Sequence, residues 1–226
     1  KVPGTRRARF LGVWPLKPAK RVVWFMVFAT LVPLLIVALI TAVAALLHLV
    51  DLDLVTFRGF QDMLAAQVAN TGSGSTSLPA VEVLVVTQLL SIPFAALLNS
   101  FFAFGEEIGW RGWLLPALLP FGTWPALIVS GVVWGLWHSP LVLLGYNFGY
   151  TDIRGVLLMT AGCVAWGVLF GWSRLRSGSV WPAVIGHGSL NASGGLVLLL
   201  SANAEAVNLS IVGPLGVVSW GVIAAI

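Results

Sequence analysis

Charge is what this sequence has least of. Asp, Glu, Lys and Arg make up 9% of the 226 residues, where a soluble domain carries roughly a quarter. That scarcity excludes an ordinary water-soluble globule. Cysteine is almost missing as well: Cys163 is the single one, so no internal disulfide can form, and it reads as a small packing residue inside a helix. No H-E-x-x-H run occurs, which excludes a zincin-type metalloprotease. The apolar segments hold no aspartate, so an intramembrane aspartyl dyad is unavailable. Ser139 and Ser189 lie beside histidines in the sequence but in no nucleophile turn. Cys163 has no histidine partner at a matching depth. No repeat of 20 to 50 residues is visible, which argues against a solenoid, and the inverted symmetry of transporters is not visible either.

What is present is hydrocarbon. Hydrophobic residues make up 58% and mean hydropathy is +0.97. Val22 to Val50 runs 29 residues without Asp, Glu, Lys or Arg; Gly112 to Thr151 runs 40, Ser177 to Ala204 runs 28 and Ala206 to Ile226 runs 21. A helix crosses the hydrocarbon core with about 20 such residues. The expected fold is therefore an all-α integral membrane protein with about six spans, near 22–49, 81–104, 124–145, 155–173, 182–200 and 208–226. Pro93 should kink the second, and 105–119 reads as a helical continuation of it after a break. The connection 51–80 contains "NTGSGSTS", a flexible-loop signal.

Residues 1–21 form a basic flank and 22–226 a single polytopic domain. The chain starts at Lys1 and stops inside an apolar run, which suggests a portion of a longer protein. The apolar run after the flank is too long for a signal-peptide core. Placing the N-terminus in the cytoplasm puts ten of the twelve basic residues on that side, leaving Arg58 and Arg154 outside. The net charge of +4 thus reflects topology, and no nucleic-acid partner is expected. His48 and tryptophans such as Trp110, Trp113 and Trp181 read as interfacial residues.

An ionisable group at membrane depth is costly unless it faces a cavity or a partner. The set here is short: Glu106, Glu107, Arg111, His138, His187 and Asn191. Glu107 and Arg111 are four apart and can pair on one helix face. Glu106 is rotated by about 100° and is left to face a cavity as a general base. His187 and Asn191 are also four apart, and an imidazole with an amide suits a developing oxyanion or a metal-bound water. His138 follows Trp134 by one turn, so the indole can restrict its rotamer. All of these should meet in the cytoplasmic half of the bundle, with His138 the least comfortable in depth.

These residues carry a resemblance. "EEIGWR", Glu106 to Arg111, is similar to the E-E-x-x-x-R signature of the CPBP family of CAAX-protease and bacteriocin-processing intramembrane peptidases. The aromatic-x-x-x-His motif appears as "WGLWH", with Trp134 where Phe is usual, and His-x-x-x-Asn/Asp as "HGSLN". The order is the family's, within a core of about residues 80–200. The resemblance implies a membrane endopeptidase acting near the cytoplasmic face on a membrane-associated peptide or protein. In it Glu106 and His138 would activate water, His187 and Asn191 would stabilise the oxyanion, and Glu107, Arg111 and Trp134 would support them. Whether the substrate is prenylated does not carry over. Two other readings of the same residues are a proton-coupled transporter, with Glu106 and the histidines as a relay, and a non-catalytic scaffold or bacteriocin-immunity protein. Glu106, His138 and His187 could also supply a two-histidine, one-carboxylate zinc site. The lack of another free carboxylate to orient the water favours a metal-free, cofactor-free reaction.

Overall fold

The computed structural model describes residues 4–71 and 79–226. Among them all regular structure is helical, apart from one isolated antiparallel bridge between Leu52 and Ser201. In chain order the helices are α1 (Gly4–Phe10), α2 (Ala19–Leu46), α3 (Arg58–Thr71) and α4 (Val81–Glu107). A π-helical turn (Ile108–Leu114) leads from α4 into α5 (Leu115–Leu118). Then come α6 (Thr123–Trp137), α7 (Ser139–Val142), α8 (Ile153–Ser177), α9 (Trp181–Ser193), α10 (Leu196–Leu200), α11 (Leu209–Val212) and α12 (Val217–Ala224).

Among the described residues four stretches are long and apolar enough to cross a bilayer: Ala19–Leu46, Val81–Phe121, Ile153–Ser177 and Trp181–Leu200. The expected helical segment at 105–119 is there, joined to α4 through the π turn. The other two expected spans are shorter, for identifiable reasons. The one near 124–145 is a 15-residue helix ending at Trp137, because Pro140 restricts the residue before it and removes a backbone donor. Left-handed backbone at Gly145, Asn147 and Gly149 then keeps the chain from resuming. The one near 208–226 is divided by Gly213-Pro214. The 51–80 connection is not wholly loop. The Asp53 carboxylate accepts from the backbone N–H groups of Val55, Thr56 and Arg58 and from the Thr56 hydroxyl, ordering the entry to α3. These bonds, the Thr56 hydroxyl foremost, hold Asp53 well below the usual carboxylate range. Of "NTGSGSTS", Asn70 and Thr71 close α3 and the rest lies outside the described residues.

Backbone contacts fix the helix directions. Val180 N–H donates to the Gly12 carbonyl at one end, and Ala202 N–H to the Asp51 carbonyl at the other. Consequently α2 and α9 run parallel, while α4 and α8 return against them. Arg6, Arg7, Arg9, Lys17, Lys20, Arg21, Arg174 and Arg176 gather at the first end, called here the basic end. Helix α9 sits between α2 and α4, and α6 lies along α8. Trp134, Met159, Trp166, Phe170, Leu190, Ile36 and Ile40 share one core. The α6–α8 approach is close enough that a side chain on Gly135 would run into the Thr160 backbone, and one on Gly131 would come within 2.7 Å of Val164 Cα.

That approach yields a test. Gly135→Val should destabilise the protein by about 1–3 kcal/mol through overpacking. Gly221→Ala in α12, which meets nothing within 4 Å, should be neutral or stabilising. Thermal unfolding in detergent distinguishes them, and equal melting of the two variants would contradict the packing described.

Candidate functional site

Burial decides the roles of the adjacent glutamates. Glu107, the last residue of α4, is 0% exposed, as is Arg111, and Arg111 Nη1 donates to Glu107 Oε1 at 2.6 Å. The same oxygen lies 3.0 Å from His187 Nδ1, on α9 and 80 residues away in sequence. A carboxylate flanked by a guanidinium accepts, so His187 Nδ1 carries the proton. The guanidinium is roofed by aromatic faces, with its carbon 4.4 Å from the Trp134 ring centre and 5.6 Å from that of Phe170, a cation–π arrangement. Glu107 Oε2, Arg111 Nε and Nη2 and Trp110 Nε1 are buried without protein partners, the setting in which an internal water is bound.

Glu106 turns away from this cluster, as the helical rotation requires. It is half-buried, and its Oε2 accepts from Trp134 Nε1 at 2.9 Å. Trp134 is thus more than a packing ring. Its indole N–H, which a phenylalanine would lack, fixes one oxygen of Glu106 and leaves the other free. Trp134 also stands edge-on to His138 and to His187, at 5.9 and 5.1 Å between ring centres. His138 Nδ1 is 2.9 Å from the Trp134 carbonyl oxygen. A carbonyl only accepts, so this nitrogen is protonated and neutral His138 presents Nε2 as an acceptor.

Glu106, Trp134, His138, His187 and Asn191 line one cavity of about 470 Å³. All the expected site residues are therefore brought together, Glu107 and Arg111 as the wall behind His187. His138 fits in depth because the helix bearing Glu106 continues to Phe121, so Glu106 is not at a helix end. His138 follows the 15 residues of α6, about 22 Å from the basic end at 1.5 Å per residue. The cavity continues away from that end along Asn99, Tyr146, Asn147, Phe148 and Leu209. His138 thus lies deeper than His187, which is six residues from the start of α9 at that same end. Asn99, Tyr146 and Asn147 were not singled out from sequence; only Asn99, seven residues before Glu106 on nearly the same face, left a readable signal. Cys163 packs as expected, 1% exposed, and also forms part of the cavity wall. Among the described residues no three His, Cys, Asp or Glu side chains are grouped to hold a metal ion.

Residues 86–193 match the family of type II CAAX prenyl endopeptidases described as Rce1-like, and this match spans all the motif residues. A curated relative, CAAX prenyl protease 2 of Methanococcus maripaludis, is 28% identical over 141 residues, 50% of this chain and 51% of that protein. The chain thus spans about half the length of the curated relative it matches. No solved structure matches it.

The site geometry separates the glutamates in stability. Glu107→Gln leaves Arg111 and His187 without their shared anion and should cost about 3–5 kcal/mol. Glu106→Gln, half-exposed to the cavity, should cost no more than about 1 kcal/mol. Denaturation of both purified variants checks this, and equal losses would refute the assignment.

Proposed function

We propose that this chain, similar over residues 86–193 to the Rce1-like CAAX prenyl endopeptidases, is an intramembrane endopeptidase that hydrolyses a peptide bond of a membrane-associated substrate with water activated by Glu106 and His138. The observation that carries this reading is the shared cavity: a free carboxylate oxygen, an acceptor imidazole nitrogen, a second imidazole and an amide all face one space. The water oxygen attacks the carbonyl carbon as Glu106 takes one of its protons. His138 Nε2 accepts a hydrogen bond from the remaining O–H, without taking that proton, and so points the oxygen lone pair towards the carbonyl. The C–N bond then breaks, and the proton on Glu106 passes to the leaving amine.

The oxyanion falls to His187 and Asn191. Because His187 Nδ1 is committed to Glu107, Nε2 can donate to an oxyanion only when the ring is an imidazolium. Glu107 supplies the counter-charge, bearing both Arg111 and His187 on one oxygen. No step of this reaction requires a metal. The substrate is a peptide or protein held at the bilayer. The apolar walls at Trp137, Leu141, Phe148 and Leu209 accommodate a hydrocarbon group beside the scissile bond, the class that the relative's name indicates for that protein. The basic end faces the cytoplasm by the positive-inside rule.

Cleavage of membrane-anchored reporter peptides by the purified protein tests the proposal. Glu106→Gln should abolish turnover, and Asn191→Ala should lower kcat by about 10² to 10³ with little change in KM. Exhaustive chelation should leave the wild-type rate unchanged. Loss of activity on chelation, restored by zinc, would overturn the metal-free chemistry. Proton-driven solute flux in liposomes without any cleavage would replace the peptidase by a transporter.

A further inference from the structure

Charge is segregated along this bundle. Arg6, Arg7, Arg9, Lys17, Lys20 and Arg21 are all exposed at one end. The ion pairs among the described residues, Glu107 with Arg111 and His187 and Asp152 with Arg154, involve none of them. The carboxylates outside the site, Asp51, Asp53, Asp62, Glu82, Asp152 and Glu205, belong to the opposite end. Six cations thus stand together without an internal counter-charge.

The backbone that carries them is held in place. Between α1 and α2 the chain crosses the α8–α9 turn as a strap. The Gly12 carbonyl accepts from Val180 N–H and from Ser179 Oγ, and the Val13 carbonyl from Trp181 Nε1. Arg174 Nη2 donates to the Phe10 carbonyl, while its Nε donates to the Arg111 carbonyl. The strap is therefore one guanidinium away from the turn that carries the Glu107–Arg111 pair. Beside the cations, Trp14 and Trp24 are each 64% exposed and Phe10 is 48% exposed. Because α2 enters its apolar run at once, these rings lie at headgroup level, where an aromatic body and a cationic tip meet apolar and anionic surroundings together.

We propose that this strap is a docking surface for anionic phospholipid headgroups. The cations meet lipid phosphates, the tryptophans and Phe10 enter the acyl boundary, and the bound lipid holds the strap against Arg174. Lipid is favoured over a soluble polyanion because the exposed rings adjoin the cations at the start of a span. Each basic residue near an anionic surface contributes about fivefold in binding. The inference stands apart from the reaction proposed above.

Native mass spectrometry of the whole protein tests it, from micelles holding equal phosphatidylglycerol and phosphatidylcholine of matched chains. The wild type should carry the anionic lipid in several-fold excess, and the excess should fall as ammonium acetate rises from about 0.1 to 0.5 M. The triple variant Arg6/Arg7/Arg9→Gln should lower that excess by at least about fivefold. Lys17/Lys20/Arg21→Gln gives a second reading if the first inserts poorly, since each keeps half of the flank. The double variant Arg58/Arg154→Gln, at the far end, should leave it unchanged. A wild-type ratio near one, or equal losses from variants at both ends, would overturn the proposal. So would salt-sensitive binding of a single-stranded oligonucleotide, lost in the flank variants while the lipid ratio stays at one, which would assign the surface to nucleic acid.

Discussion

One buried carboxylate organises this molecule. Glu107 has no solvent contact, and its Oε1 is shared by Arg111 from the following turn and His187 from α9. An isolated charge at that depth would be prohibitive, and removing either partner would strand the other. The surroundings follow from keeping these groups together. The chain after Glu107 winds as a π turn, a departure from α geometry that occurs chiefly at functional sites. Glycines at 186 and 188 let α9 approach Phe170 and the α4 backbone closely, bringing the imidazole to the carboxylate. Trp134 and Phe170 cover the guanidinium where no further acceptor is available.

With Glu107 committed to the buried ion pair, Glu106 is left to face the cavity. Its link to the same framework is the Trp134 indole N–H, and Trp134 also touches both histidines and Arg111. One side chain thus sets the mutual placement of the three groups proposed as base, water-orienting imidazole and oxyanion imidazole. Both histidines have Nδ1 fixed by an acceptor, one a backbone carbonyl and the other a carboxylate. The difference between these acceptors gives the rings different work. A neutral carbonyl suits the proposed role of His138 as a hydrogen-bond acceptor for water, whereas the Glu107 carboxylate suits the imidazolium proposed at His187.

Much of this was legible in the sequence because helical periodicity is a local rule. The i, i+4 spacing of Glu107 and Arg111 and the rotation of Glu106 away from them follow from the residue count alone. The membrane class followed from apolar run lengths. What escaped depends on tertiary contact or on backbone departures from the α-helix. Nothing local announces that His187 meets Glu107 across 80 residues, or that Trp134 gives its N–H to Glu106 rather than acting only as bulk. The span expected to reach residue 145 stops at Trp137, since hydropathy is blind to Pro140 and to the left-handed residues beyond it.

The central claim is that Glu107 fixes the proton on His187 Nδ1 and thereby divides labour between the two carboxylates. The most direct measurement is ¹⁵N NMR of the histidine side chains in the detergent-solubilised protein. His187 Nδ1 should appear as a protonated, hydrogen-bonded nitrogen in the wild type and in Glu106→Gln. Its signal should lose that hydrogen-bonded character in Glu107→Gln, provided this variant remains folded by circular dichroism. A His187 whose proton resides on Nε2 alone, or whose Nδ1 responds to Glu106→Gln rather than to Glu107→Gln, would contradict the account.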